Sequence, residues 1–114
     1  MVNYQGIEHM AEKVHEVLRQ AASFESTINY KKVGDQIGVH YFSRQMDYVL
    51  DLVDRTYYPK YRCIITALVV RKKEGTSGRG FYRMARRLGF EVQDFDIDFW
   101  ESQRENAMRA LTDD

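Results

Sequence analysis

The stretch VVRKKEGTSGRGFYRMARR, residues 69–87, decides how the chain is interpreted. Two valines lead into a cluster of cations, three glycines come next, and an aromatic pair then precedes further arginines. Glycine permits positive φ, which suits the tip of a β-hairpin. The stretch therefore predicts one of two things: a charged, solvated turn, or a basic finger that contacts a phosphate backbone.

Charge is unevenly distributed around this stretch. The chain has no net charge, but residues 71–90 carry a net charge of +6 and residues 91–114 a net charge of −6. Whole-chain neutrality thus hides a basic segment followed by an acidic one. Either the two segments neutralise each other in the fold, or the basic segment is available to a polyanion.

Length and composition predict a single domain over residues 1–114. Hydrophobic residues make up 44% of the chain, which is enough to fill a core. The single cysteine, Cys63, excludes an internal disulfide and fits a reducing compartment. Neither a secretory leader nor an apolar run of membrane-spanning length is found, so we expect a cytoplasmic protein without a membrane span.

The N-terminal half has the pattern of three helices. Apolar residues at helical spacing predict a helix over 7–23, and a short extended piece comes after it at 27–30. A short helix over 30–39 closes at Gly38. Ser43 is the expected N-cap of a third helix that runs to about Arg55. The predicted buried stripe of that third helix comprises Phe42, Met46, Val49, Leu50 and Val53.

The C-terminal half has the pattern of a hairpin followed by helices. The β-branched run at 61–70 predicts a strand, the glycine-rich segment 71–78 a turn, and 79–82 the returning strand. A short helix then ends at Gly89. An acidic segment over 90–98 leads into a final helix over 99–111.

Two helices joined by a tight turn and followed by a hairpin are the order of elements in a winged helix. The chain accordingly resembles the winged helix-turn-helix superfamily over residues 7–88, which implies an α+β fold: a helical core with a small antiparallel hairpin, plus the acidic segment and C-terminal helix of residues 89–114. Residues 27–39, TINYKKVGDQIGV, are similar to the start of the DNA-binding domain of the alkylguanine-DNA alkyltransferases. Their reactive Pro-Cys-His-Arg motif is replaced here by Arg62-Cys63-Ile64-Ile65, so alkyl transfer is not expected. The run ITALVVRKKEGTSGRGF also resembles small uncharacterised bacterial and phage proteins.

The predicted nucleic-acid site has two parts. Cations of the hairpin would meet phosphates beside the minor groove, and the start of the third helix would meet base edges in the major groove. Four to six phosphate contacts would give a log–log salt slope of about −4 to −5. Three aspartates on the predicted polar face of the third helix, Asp47, Asp51 and Asp54, oppose deep entry into a groove of DNA. The predicted site residues are Arg71, Lys72, Lys73, Arg79 and Arg83 in the hairpin region, and Ser43, Arg44 and Gln45 in the helix.

Other chemistry is not indicated. The glycine-rich turn lacks the Gly-Lys-Ser/Thr ending of a P-loop, and the histidines and the lone cysteine lack the spacing of a zinc site. The alternating aspartates 94, 96 and 98 lack the remainder of a calcium loop. Tyr57, Tyr58 and Tyr61 could stack on bases, form an interface or pack on the core. No acid–base pair is evident, so we expect no enzymatic activity, no cofactor and no metal.

The sequence therefore predicts a small non-enzymatic protein that binds duplex DNA mainly through a basic wing, with a homodimer as one possible state. The alternative is a protein-interaction module, such as a phage or mobile-element inhibitor of a host enzyme. Its acidic segment, from Glu91 to Glu101, would imitate nucleic acid.

Overall fold

Helices dominate the computed structural model, which describes residues 4–113. The ends of the predicted domain, residues 1–3 and 114, lie outside this range. The bounds of the elements are α1 Tyr4–Ser23, β1 Ile28–Asn29, α2 Tyr30–Ile37, α3 Arg44–Tyr61, a 3₁₀ helix Ile65–Leu68, β2 Val69–Val70, α4 Arg79–Arg87 and α5 Ile97–Thr112.

The second and third helices begin where the sequence places them, and their N-caps explain why. Asn29 accepts a hydrogen bond from the backbone N–H of Lys32 at the start of α2, and Gly38 ends that helix with a left-handed φ of 74°. The Ser43 side chain caps α3 by accepting from Met46 N. These local signals are readable in the sequence because they depend on residues only a few positions apart.

Helix α3 continues beyond Arg55, where the sequence predicts its end, and includes Pro59. Its last turns pack on α1: the rings of His15 and Tyr57 stack with centroids 4.0 Å apart, and His15 Nε2 lies 2.7 Å from the Tyr61 hydroxyl. Tertiary packing thus keeps the chain helical past the proline, until Arg62 ends the helix in a left-handed conformation.

The predicted strand over 61–70 is wrong for most of its length. Residues 65–68 form a 3₁₀ helix, and only Val69 and Val70 are extended. They pair in parallel with β1, in the register Ile28–Val69 and Asn29–Val70. Every residue from Cys63 to Val70 is buried. The β-branched composition therefore reflects burial among helices on all sides, which composition alone does not distinguish from a sheet.

The antiparallel hairpin, and with it the winged helix-turn-helix fold, is also wrong. Arg71 N donates to Thr76 O at 2.8 Å, and Gly75 has a φ of 73°, so the turn closes on itself. The chain then enters α4 at Gly78 instead of returning as a strand. The returning segment is helical because its buried residues have helical spacing: Phe81, Tyr82, Met84 and Ala85.

Buried polar contacts fix this turn to the body of the protein. Ser77 is fully buried, and its hydroxyl donates to Val69 O at 2.7 Å. The indole N–H of Trp100 in α5 donates to Ser77 Oγ and to Ala67 O, each at 3.0 Å. Gly78 N donates to the Tyr30 hydroxyl at 2.9 Å. These bonds connect the C-terminal end of the turn to both α2 and α5.

Helix α5 completes the core. Asp96 caps its start by accepting from Phe99 N at 3.1 Å, and Ala107 and Leu111 are buried in the main cluster with α1 and the 3₁₀ helix. Trp100 belongs to a second cluster that includes Phe81 and Tyr82 of α4. The position of α4, which matters for the site below, is therefore set by α5.

Candidate functional site

A groove of about 750 Å³ opens between α3 and the start of α4, and we call it the α3–α4 groove. Its α3 wall consists of Tyr41, Phe42, Arg44, Asp47, Tyr48 and Asp51. Its α4 wall consists of Arg71, Lys72, Gly78, Arg79, Gly80, Phe81, Arg83 and Arg87. A Cβ atom on Gly80 would lie 4.0 Å from Asp47 Oδ1, so the two walls come close to each other at this point.

The groove brings together most of the residues that the sequence singles out for nucleic-acid binding. Five of the eight line it, although Arg44 is distant from the others along the chain: Arg44, Arg71, Lys72, Arg79 and Arg83. The remaining three do not line it. Ser43 serves as the α3 cap, the Gln45 amide lies 3.8 Å from Met10 Sδ, and Lys73 is exposed in the turn.

Part of the basic segment is neutralised inside the protein. Asp94 lies 3.4 Å from Arg79 Nε and 2.9 Å from an Arg86 terminal nitrogen. Arg71 donates to Thr76 Oγ1 at 3.0 Å and lies over the Phe95 ring at 4.7 Å. The basic and acidic segments therefore meet, as one of the two interpretations of the charge pattern requires, but the pairing is incomplete.

Three cations of the groove remain available. Within residues 4–113, no ion pair involves Arg44, Lys72 or Arg83, and all three side chains are exposed. Arg83 comes one turn of α4 after Arg79, and Lys72 lies at the entrance to the same wall. This wall therefore presents positive charge that the fold itself does not use.

Aromatic side chains line the opposite wall, a feature that the sequence pattern does not indicate. Phe42 is 85% exposed, Tyr48 55% and Tyr41 46%. The expectation that Phe42 belongs to the buried stripe of the third helix is wrong, because Phe42 precedes the Ser43 cap and the periodicity of α3 does not apply to it. Three exposed rings on one wall exceed the scattered apolar exposure of an ordinary surface.

Two acidic residues of the α3 wall lie close to α4. Asp51 Oδ2 lies 2.9 Å from Arg87 Nη1, which links α3 to α4. Burial raises the pKa of Asp51, and the Arg87 guanidinium opposes that rise. Asp47 is exposed one turn earlier on α3 and faces Gly80.

The floor of the groove contains a buried carboxyl group. Asp54 is 2% exposed, and its two oxygens accept from the backbone N–H and the hydroxyl of Thr66, at 3.4 Å and 2.6 Å. Burial is the main cause that raises the pKa of Asp54 to about 7. Burial also raises the pKa of Tyr30, whose hydroxyl accepts from Gly78 N beside this floor.

Other candidate groups lie elsewhere and have structural surroundings. Burial raises the pKa of the Cys63 thiol to about 11, which suppresses its thiolate. Tyr57 stacks on His15, and Tyr58 packs edge-on against Phe90. Within the described residues 4–113, no group of three or more His, Cys, Asp or Glu side chains is placed to hold a metal ion.

Comparison with known proteins gives no match: no family model, no curated protein and no solved structure is significantly similar to the chain. None of the helices within residues 4–113 combines the length and the apolar content that crossing a membrane requires. The groove itself is therefore the basis for a functional hypothesis.

Proposed function

We propose that the protein is a non-enzymatic nucleic-acid-binding protein whose ligand lies in the α3–α4 groove. The observation that carries the proposal is the convergence of Arg44, Lys72 and Arg83 on one groove without ion-pair partners among the described residues. Unpaired cations beside exposed aromatic rings are the combination that nucleic-acid sites use, because phosphates need charge and bases need flat apolar surface.

The cations in and beside the groove are not equally available to a phosphate. Arg86 and Arg87 are paired with Asp94 and Asp51, and Lys31 lies 3.5 Å from Asp35. An anion at any of these positions would have to displace a carboxylate. Within the described residues, no carboxylate has to be displaced when a phosphate binds to Arg44, Lys72 or Arg83.

The acidic segment supports the alternative function, a protein-interaction module, less well. Asp94 is engaged by two arginines, and Asp96 caps α5. A segment that imitates nucleic acid would have to present these carboxylates to a partner. Mimicry by the acidic segment stays a prediction, and the groove is the better-supported surface.

Salt dependence tests the proposal quantitatively. Three unpaired cations that each release a counterion give a log–log slope of binding of about −2 for a single strand, at about 0.7 per contact, and about −3 for a duplex. Fluorescence anisotropy with labelled mixed-sequence DNA over a range of salt concentrations measures this slope.

Charge reversal locates the binding surface. Arg83→Glu and Arg44→Glu should each weaken binding at low salt and reduce the magnitude of the slope by about 1. Lys13→Glu, on the exposed face of α1 away from the groove, makes the same change in net charge and serves as the control. Equal losses for all three variants would refute a localised site, and a lack of binding by the wild-type protein would refute the proposed function.

A further inference from the structure

The two walls of the α3–α4 groove differ in chemistry. The α4 wall carries Lys72, Arg79 and Arg83 and has no acidic residue. The α3 wall carries three exposed rings and two carboxylates, Asp47 and Asp51, with Arg44 at its N-terminal end. A ligand that fits this groove has to be anionic on one edge and flat, apolar and uncharged on the other.

From this asymmetry we infer that the natural ligand is single-stranded nucleic acid, with phosphates along the α4 wall and bases against the α3 wall. The inference rests on the proposed function and names its ligand class. A DNA duplex has a phosphate backbone on both sides of each of its grooves. If a duplex lay in the α3–α4 groove, the phosphates of one strand would therefore face Asp47 and Asp51. A single strand has one phosphate edge, and its unpaired bases are free to turn the other way.

The rings of the α3 wall are suited to unpaired bases. Tyr41 and Phe42 contact each other edge-on, with centroids 6.2 Å apart, and the Tyr41 ring is stacked on His40 at 4.9 Å. Tyr48 comes one helical turn after Arg44, so a ring and a guanidinium lie on the same side of α3. The ring stacks on bases regardless of sequence, and the guanidinium at the end of this wall stays available to a phosphate.

The carboxylate on this wall fits bases and opposes phosphates. Asp47 is exposed, and no ion pair within residues 4–113 involves it. Carboxylate oxygens accept hydrogen bonds from amino groups of bases, such as the cytosine N4 amine. The same charge repels a phosphate, so it disfavours a strand whose backbone lies against the α3 wall.

The test measures the affinity of the intact protein at low salt for three labelled ligands. These are a mixed-sequence DNA strand, the RNA strand of the same sequence and the corresponding DNA duplex. We expect at least one single strand to bind about tenfold or more tightly than the duplex, and the tighter of the two strands identifies whether DNA or RNA is the source. Phe42→Ala and Tyr48→Ala should each weaken single-strand binding about tenfold, the loss of roughly one stacked base. Phe24→Ala removes an equally exposed ring, 82% accessible, outside the groove and should leave affinity unchanged.

The outcomes separate the inference from the proposed function. Duplex binding as tight as strand binding overturns the single-strand inference and leaves nucleic-acid binding intact. Strand binding that is insensitive to Phe42→Ala and Tyr48→Ala likewise overturns it, because bases would not then contact the α3 wall. If neither strand nor duplex binds, the proposed function fails and the inference fails with it.

Discussion

The buried carboxyl of Asp54 makes the stability of the protein depend on pH in a defined direction. Its pKa rises from the ordinary value of 3.8 to about 7 in the folded protein, mainly because burial disfavours the charged form, with a smaller contribution from the nearby Asp51 carboxylate. Hydrogen bonds from Thr66 act in the opposite direction. Between these two pH values the folded protein holds a proton that the unfolded chain has released.

The free energy of unfolding must therefore fall as pH rises through this window. Below pH 3.8 both states bind the proton, and above about pH 7 neither does, so the contribution of Asp54 is constant outside the window. Across this window the contribution of Asp54 to the free energy of unfolding changes by about 4 kcal/mol, at about 1.36 kcal/mol for each tenfold change in proton affinity. That amount is a large fraction of the stability of a small domain.

In the Asp54→Asn variant, the amide has the shape of the protonated carboxyl group but does not ionise. We expect the stability difference between wild type and this variant to shift by about 4 kcal/mol between pH 4 and pH 8, with wild type relatively more stable at the acidic end. The free energies of unfolding are measured by urea titration, with tryptophan fluorescence as the signal. Trp100 is the only tryptophan and is 5% exposed, so its fluorescence reports unfolding.

The exposed aspartate Asp35 provides the matched control. Its Asn variant loses the surface contact with Lys31, which contributes less than about 1 kcal/mol. The pH profile of Asp35→Asn should therefore match that of wild type. If the profile of Asp54→Asn also runs parallel to wild type from pH 4 to pH 8, the assignment of a raised pKa to Asp54 is refuted.

Three further substitutions test local packing and hydrogen bonding. Gly34→Ala should lower the free energy of unfolding by about 3 kcal/mol in urea titrations, because its Cβ would collide with the backbone oxygen of Val39; an unchanged midpoint would contradict this contact. Gly80→Ala should raise stability by about 0.5 kcal/mol, since the residue is exposed in α4 with room for a methyl group, and a lowered melting temperature would show the space to be absent. Tyr30→Phe should cost about 1 kcal/mol, because Gly78 N loses its acceptor, and hydrogen exchange of that amide should accelerate; unchanged exchange would count against the bond.

The N-terminal helices are predictable because their signals are local. The Ser43 cap and the left-handed Gly38 act within one turn of the chain, and both are found where the sequence places them. The extension of α3 past Pro59 depends on His15, more than forty residues earlier, and no local pattern contains that contact.

The hairpin prediction is wrong because glycine content and charge indicate a turn but do not specify the element after it. Gly78, expected at the tip of a hairpin, is the N-cap of α4. Ser77, a small polar residue in a charged segment, is fully buried because it meets Trp100 and Val69. Only the three-dimensional arrangement brings those partners to it.

The candidate site is predictable in part. The excess of cations near residues 71–83 marks the α4 wall, and the sequence singles out Arg44 at the start of α3. Phe42, expected in the core, is exposed, whereas Asp54, expected on the polar face of α3, is buried beneath the 3₁₀ helix. Phe42 is exposed because it precedes the Ser43 cap of α3, and Asp54 is buried because the segment that contains Thr66 packs against α3.

The contact between Trp100 and Ser77 has a consequence for the order of events during synthesis. The α4 wall is held by an indole that is translated more than twenty residues after the serine it bonds. Until α5 leaves the ribosome, residues 71–87 lack this anchor. We therefore expect the α4 wall to reach its final position only when α5 docks against it.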